Sequence, residues 1–403
     1  MHSQNFSKKK ALLIEDMAEA RIMQKKMLND FGFGSIEIAM KAEIAIELLQ
    51  NTTFDVILSD YNLGRGKDGQ ELLEELRHSN LIPHTTTYLM VTAETSIEMV
   101  MGAIEFQPDG YITKPFSQAV LQRRLNKMLT MKEKLLPVNL ALDADDLKKA
   151  IAEAKIIAEQ HPQLAGRCQR IVGESYLKLK DYRNAIAVFN KTLNERKMPW
   201  ALFGKAQAKF HIGELDKAEQ MFRQLMMDNR FFVSAYDWLA KIKMAQNLPQ
   251  EAQQVLIDAV ERSPKNLMRQ IELGKISLSL GDYEIAETAY RRAVFLAKNS
   301  CYNSPEIYFG HLNSIVKIAQ EEHLLSRHEG NFNNTLKKLH NLFFDQPSVR
   351  ATCYSYEIDL LLAKDDKKNA KQVFNAWSTE SSSKQATPLS DEQRAAYQTA
   401  FGA

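Results

Sequence analysis

The chain has 403 residues, the length of two to three domains at roughly 150 residues each. Its 52 basic and 50 acidic residues leave a formal net charge of +2, which excludes the strongly basic face of a dedicated nucleic-acid binder. The longest apolar runs, such as residues 11–14 and 56–58, fall far short of the ~20 residues that a membrane-spanning helix needs. After the basic start MHSQNFSKKK only four apolar residues follow, against about 7–15 in a secretory signal. Cys168, Cys301 and Cys353 are more than fifty residues apart, form neither a disulfide framework nor a zinc knuckle, and fit a reducing cytosol. A cytoplasmic protein without membrane insertion is expected.

Taken in chain order, residues 1–134 alternate short apolar strands with amphipathic helices. Strands are predicted at 11–14, 36–39, 54–59, 88–91 and 111–113. Helices are predicted near 18–31, 42–50, 70–77, 97–106 and from just after Pro115 to 134. Continuously apolar strands between helices imply a parallel sheet covered on both faces. Five such units suit the smaller doubly wound α/β fold, with strand order 2-1-3-4-5.

After Pro137 the strand signal ends and a helical repeat begins. Ala185 with Phe189, Ala218 with Phe222, Ala252 with Leu256, and Ala286 with Tyr290 form a small-x-x-x-large series. The alanines are 33, 34 and 34 residues apart. Antiparallel helices pack closely where a small residue meets the partner backbone and a bulky neighbour fills the flank. The series resembles tetratricopeptide repeats, whose 34-residue unit pairs A-x3-F with an upstream L-G-x2-Y. The organisation expected is a linker at 135–144 and an all-α solenoid of repeats at 145–377. The clearest repeats are 166–198, 199–232, 233–266 and 267–300, and Ala370 with Phe374 suggest one further copy. A polar, partly mobile tail is expected at 378–403.

Ligands of a doubly wound sheet bind at the carboxyl ends of its strands. Those ends carry Glu15-Asp16, Asp60, Thr92 and Lys114. Three carboxylates so close repel one another and call for a cation. An all-oxygen site of this kind suits Mg2+, with Mn2+ as a substitute. The Thr92 hydroxyl and the Lys114 ammonium complete an ensemble suited to phosphoryl transfer.

In this order and placement, residues 8–130 resemble the receiver domain of two-component response regulators, a flavodoxin-like fold. The acidic pair is Glu15-Asp16, the phosphoacceptor Asp60 in LSDYNL, the switch hydroxyl Thr92 in VTAET, and the lysine Lys114 in KPF. The separations, 44 residues from Asp16 to Asp60 and 22 from Thr92 to Lys114, match that family. The resemblance implies that Glu15, Asp16, Asp60 and the backbone carbonyl of Asn62 hold the metal. It also implies that Tyr111 is the aromatic that changes rotamer on activation, on a face shared with Met99, Val100 and Gln122. One departure stands out: LGRGKDG lacks the usual proline after the phosphoacceptor and sets Asp68-Gly69 one residue late.

No Walker loop, dinucleotide fingerprint or Ser/His/Asp order occurs, so the output half is read as a scaffold and not an enzyme. His323 and His328 are read as solvated helix surface, and residues 108–110 as a turn. The function expected is a response regulator that takes a phosphoryl group on Asp60 from a sensor histidine kinase or phosphotransfer protein. Its repeats would signal by binding an unidentified protein, and a homodimer is compatible with it. The alternatives are a phosphate sink or inhibitor gripping the kinase, and a non-phosphorylated adaptor. The partner groove is projected onto the first helix of each repeat: Trp200, Phe203, Phe210, Met244, Met268, Ile271 and Leu278, with Lys241 and Lys275 among them.

Overall fold

Strands with apolar side chains on both faces need helices on both sides of their sheet. The computed structural model, which describes residues 6–93, 108–321 and 324–402, has that arrangement. Strands β1 (Lys10–Ile14), β2 (Ser35–Ala39), β3 (Val56–Asp60), β4 (Thr87–Thr92) and β5 (Gly110–Thr113) are parallel, in order β2-β1-β3-β4-β5. Successive side chains point to opposite faces. Leu12, Ile14, Ile57, Tyr88 and Met90 therefore meet the helices Ala42–Asn51 and Gly69–His78 in one core. Ala11, Leu13, Val56, Leu58, Leu89 and Val91 build the other, against Ala18–Asp30 and Gln118–Lys134. The expected helix at 97–106, with Met99 and Val100, lies outside the described residues.

By its contacts the chain forms two compact units, Met1–Gln246 and Asn247–Ala403. In the first unit the sheet is followed by helices Leu136–Asp143, Leu147–Gln160, Ala165–Lys178, Tyr182–Glu195, Pro199–His211, Leu215–Asp228 and Val233–Ala245. The second unit holds Pro249–Arg262, Leu267–Leu280, Tyr283–Ala297, Pro305–Glu321, Ser326–Phe343, Pro347–Ala363, Lys367–Ser382 and Asp391–Ala400. The repeat is visible in the backbone itself. Left-handed residues at Asp145, Lys180, Gly213, Asn247 and Gly281 close the first helix of successive pairs at intervals of 35, 33, 34 and 34 residues. Asp146 and Asp181 then cap the second helices by accepting N–H bonds from Lys149 and Asn184.

The small-x-x-x-large spacing has a steric basis. Phe189 is fully buried, and a Cβ placed on Gly173 or Gly204 would lie 2.4 Å from its ring. In the second unit Tyr290 occupies the same niche between Gly274 and Gly310, where a Cβ would approach to 2.6 and 2.3 Å.

Two expected boundaries are corrected. Residues 135–144 are no loose linker: Leu136–Asp143 is a helix whose Val138 and Ala141 are buried with Leu135 against Ala150, Ile151 and Ala154. The tail expected at 378–403 is largely helical and packed. Trp377, Ala386, Leu389 and Tyr397 form a core with Ile358 and Phe374, and the Trp377 indole N–H donates to the Thr387 carbonyl at 2.8 Å. A few apolar residues at the right intervals hold this polar segment down, which its average composition conceals.

The niche argument makes a stability prediction. Gly204→Val should cost about 1–3 kcal/mol, the range of an overpacked core, and adding Phe189→Leu should restore part of it. Gly166→Ala, where a Cβ meets nothing within 4 Å, should be neutral or slightly stabilising. Urea unfolding of the three variants checks the order; equal losses at Gly166 and Gly204 would remove the steric account.

Candidate functional site: a carboxylate nest at the strand ends

The strand order sets the site. β1 and β4 flank β3, so Glu15 and Asp16, one step past β1, stand beside Asp60 at the end of β3. Ligand oxygens of Glu15, Asp16 and Asp60 lie within 4.8 Å of one another. Lys114 follows β5, with its N–H bonded to the Thr92 carbonyl at 2.6 Å and a cis bond to Pro115. Its ammonium reaches Glu15 Oε2 at 2.8 Å and Asp60 Oδ2 at 3.0 Å. Asp60 Oδ1 accepts the Tyr61 N–H at 2.9 Å, and Gln24 donates to Glu15 Oε2 at 2.7 Å. Thr92 is fully buried at the end of β4.

Electrostatics matches the geometry. Burial, followed by the charge of Glu15, pushes the Asp60 carboxyl up to about 6, although Lys114 and the Tyr61 N–H pull it down. For Lys114, burial alone would lower the ammonium, but hydrogen bonds to Glu15 and Asp60 and their charges outweigh it and raise it. One lysine thus offsets only part of three carboxylates. All the donors are hard oxygens, partly open to water, which is the chemistry of a magnesium site. The residues present therefore fit a divalent cation.

The unusual loop closes over this nest. Gly64 adopts φ +69°, and a Cβ there would lie 2.7 Å from Asp16 Oδ2. Gly69 lies against the Asp60 carbonyl, where a Cβ would approach to 2.2 Å. The late Asp68 makes a capping box: its carboxylate accepts from Gln70 and Glu71 N–H, and Glu71 Oε2 accepts from Asp68 N–H. The departure from the family pattern thus leaves the nest intact. Gln24 and Arg21 escaped the sequence reading. Gln24 has no motif, and Arg21 holds the backbone carbonyls of Glu15 and Asp16 at 3.0 and 2.9 Å.

The response regulator receiver domain model matches residues 11–126, and a tetratricopeptide repeat model matches residues 239–300. Chemotaxis protein CheY-3 of Vibrio cholerae is 33% identical over 119 residues, 30% of this chain and 90% of that protein. Chemotaxis protein CheY of Pseudomonas aeruginosa is 31% identical over 119 residues, 30% of this chain and 94% of its own length. A solved CheY-like receiver from Methanospirillum hungatei aligns at 28% identity, covering 31% of this chain and 97% of its own, with a TM-score of 0.29. The chain belongs to the response regulator family, as a receiver domain fused to tetratricopeptide-like repeats.

Other candidate residues are placed less uniformly. Tyr111 packs partly buried against the core of one sheet face, and Asn62 is exposed beside Asp60. Of the groove candidates, Met244 and Met268 are exposed and Leu278 is half-buried. Ile271 is not a surface reader: it is buried with Leu267, Ala293 and Val294. Phe203 packs on Phe222 and Phe232, and Phe210 on Trp238. Trp200 lies edge-on to Phe189. These aromatics face their neighbours because the first helices bury more than one side. His328, expected on the surface, is buried; its Nδ1 accepts from the Leu325 N–H and its Nε2 faces Glu284 at 3.3 Å. His323 lies outside the described residues. Among the described residues no helix is long and apolar enough to cross a membrane.

The raised Asp60 carboxyl has a stability consequence. Between about pH 4 and 6 the folded state holds a proton that the unfolded chain releases, so stability falls as pH rises through that window. The full effect is up to about 3 kcal/mol. In metal-free buffer Asp60→Asn should therefore melt above the parent at pH 7–8, with the gap closing toward pH 4 and shrinking when magnesium is added. A gap independent of pH would contradict it.

Proposed function

We propose that the protein accepts a phosphoryl group on Asp60 from a histidine kinase or phosphotransfer protein. It would signal through protein contacts of its repeats, not through an output enzyme. The observation that carries this reading is the Lys114 ammonium bridging Glu15 and Asp60 at 2.8 and 3.0 Å, with Asp16 alongside. In the transfer, an Asp60 carboxylate oxygen attacks phosphorus as the bond from phosphorus to the donor's imidazole nitrogen breaks. The Lys114 ammonium is placed to neutralise charge on the arriving phosphoryl oxygens, and the Thr92 hydroxyl to donate to one of them. Glu15, Asp16, Asp60 and the Asn62 carbonyl would hold Mg2+ or Mn2+, which when bound supplies further charge neutralisation. Glu15 is kept in place by Gln24, whose amide donates to it at 2.7 Å.

Receiver proteins with a named chemotaxis role are among the relatives, but the repeats have no counterpart in the aligned part of those proteins. The output is therefore assigned to the repeats, where exposed first-helix residues such as Met244 and Met268 are available to a partner. Tyr111 is the residue through which a change at Asp60 would reach the last helix of the receiver. Its backbone carbonyl accepts a bond from Arg124 on that helix.

Acetyl phosphate or phosphoramidate with magnesium should label the full chain once, at Asp60. Label should vanish in Asp60→Asn and in chelator, and fall at least roughly tenfold in Lys114→Ala, the loss of a charge-assisted contact at the reacting group. Label persisting on another residue of Asp60→Asn would refute the assignment. Hydrogen exchange across residues 95–165 should also change with a stable phosphoryl mimic; identical exchange would separate the receiver from the repeats.

A further inference from the structure

The first unit contains a cavity of about 1230 Å³ where the receiver meets the first repeats. Ligand pockets usually enclose ~300–1,000 Å³, so a molecule well above the size of a single phosphate fits. His84, Asp109 and Gly110 line it at the beginnings of β4 and β5, the end of the parallel sheet opposite Asp60. It is therefore a separate place from the phosphorylation site.

Its wall carries six guanidinium or ammonium groups against three carboxylates. Two of the acids are already engaged. Asp109 pairs with Lys132 at 2.9 Å and Arg167 at 3.7 Å, and Glu174 with Arg170 at 2.7 Å. Arg77, Lys178 and Arg196 have no carboxylate partner among the described residues. The cations also crowd one another. Burial lowers His84, where Asp143 opposes the shift and Arg77, Lys178 and Lys132 add to it. Burial likewise lowers Lys132, where Asp109 opposes the shift and Arg167 and Arg77 add to it.

Apart from Glu195, the charged groups left without a partner are all donors, and Trp200 also lines the wall. An acidic peptide would bring amide N–H groups that these donors cannot satisfy. A phosphorylated ring compound brings acceptors and an aromatic face, matching guanidinium forks and an indole. We propose that this junction cavity binds a phosphorylated small molecule of nucleotide size, its phosphates held by Arg77 and Lys178 and its base against Trp200.

The test is calorimetric titration of the full chain with ATP, GTP, inorganic phosphate and a polyglutamate peptide, in chelator so that the Asp60 nest takes no part. At least one nucleotide should bind one to one with a dissociation constant of about 1–100 μM. Binding should change Trp200 fluorescence, an effect lost in Trp200→Phe. Arg77→Ala with Lys178→Ala should weaken it at least roughly tenfold, while Asp60→Asn should not. Lys178→Glu alone, at an exposed position, serves if the double variant melts early. No heat from either nucleotide at millimolar concentration would overturn the proposal, as would affinity unchanged in the cavity variants. Phosphate binding as tightly as the nucleotides would reduce the cavity to an anion subsite and overturn the nucleotide assignment. Polyglutamate binding in place of nucleotides would make the occupant an acidic peptide and overturn it as well.

Discussion

Everything in the receiver depends on holding three carboxylates within 4.8 Å of one another. Two unit charges 4 Å apart cost about 4 kcal/mol at an effective dielectric of 20, so the nest must be imposed by the fold around it. The fully buried β3 supplies the platform, and Asp60 ends it, held in register with Val91 of β4. Lys114 supplies the countercharge from two strands away. Neighbouring strands are ~4.8 Å apart, so only a long, flexible cation can cross the end of β4 to reach Asp60. Thr92, small and buried at that end, leaves the path open. The identity of each residue follows from this distance problem.

That dependence explains why the receiver could be read from the sequence. Each candidate site residue there sits at or just past the end of an apolar strand, and strand ends are the most sharply marked points of a doubly wound fold. The five strands were placed within two residues, from runs such as ALLI and VILSD, because burial on both faces makes such runs continuous. The repeats are marked differently. Alanine spacing fixes which residues meet between paired helices, but not how far burial extends around each first helix. Ile271 was projected outward by a regular register, whereas Leu267, Ala293 and Val294 enclose it. Phe203 and Phe210, projected outward in the same way, are partly buried, each packed against a neighbouring aromatic. His328 shows a related limit: its charged sequence neighbours suggested solvent, but Glu284, more than forty positions away, lies against its ring.

Asp109 marks the largest gap between sequence and structure. Between Pro108 and Gly110 it reads as a turn residue, and nothing local distinguishes it. In the fold its side chain is 7% exposed, accepts the Tyr88 N–H at 3.0 Å and pairs with Lys132 and Arg167. Only Arg167 comes from the repeats, so this carboxylate ties the start of β5 to the first helices beyond the receiver. His84 adds a second tie, donating its N–H to the Asp143 carboxylate, while its carbonyl accepts from Lys132 at 2.6 Å. Both contacts join residues far apart in sequence, and neither leaves a spacing to find.

These ties constrain how a change at Asp60 can leave the receiver. A flexible linker would let the repeats swing freely, but Leu135 is buried at the turn between Gln118–Lys134 and Leu136–Asp143, with Met131 packed beside it. Removing one member of a buried ion pair such as Lys132–Asp109 typically costs about 3–5 kcal/mol, because the other charge stays buried. Wholesale release of the repeats from the receiver is therefore an expensive output. The cheaper motion keeps these pairs and shifts them together, as β5 and the last receiver helix adjust at the Tyr111 carbonyl that Arg124 holds. Such a shift would be felt first in the cavity that Tyr111, Asp109 and Lys132 share with Arg167 and Trp200. Under the proposed function, such a change would alter the shape of that cavity before it freed the domains around it.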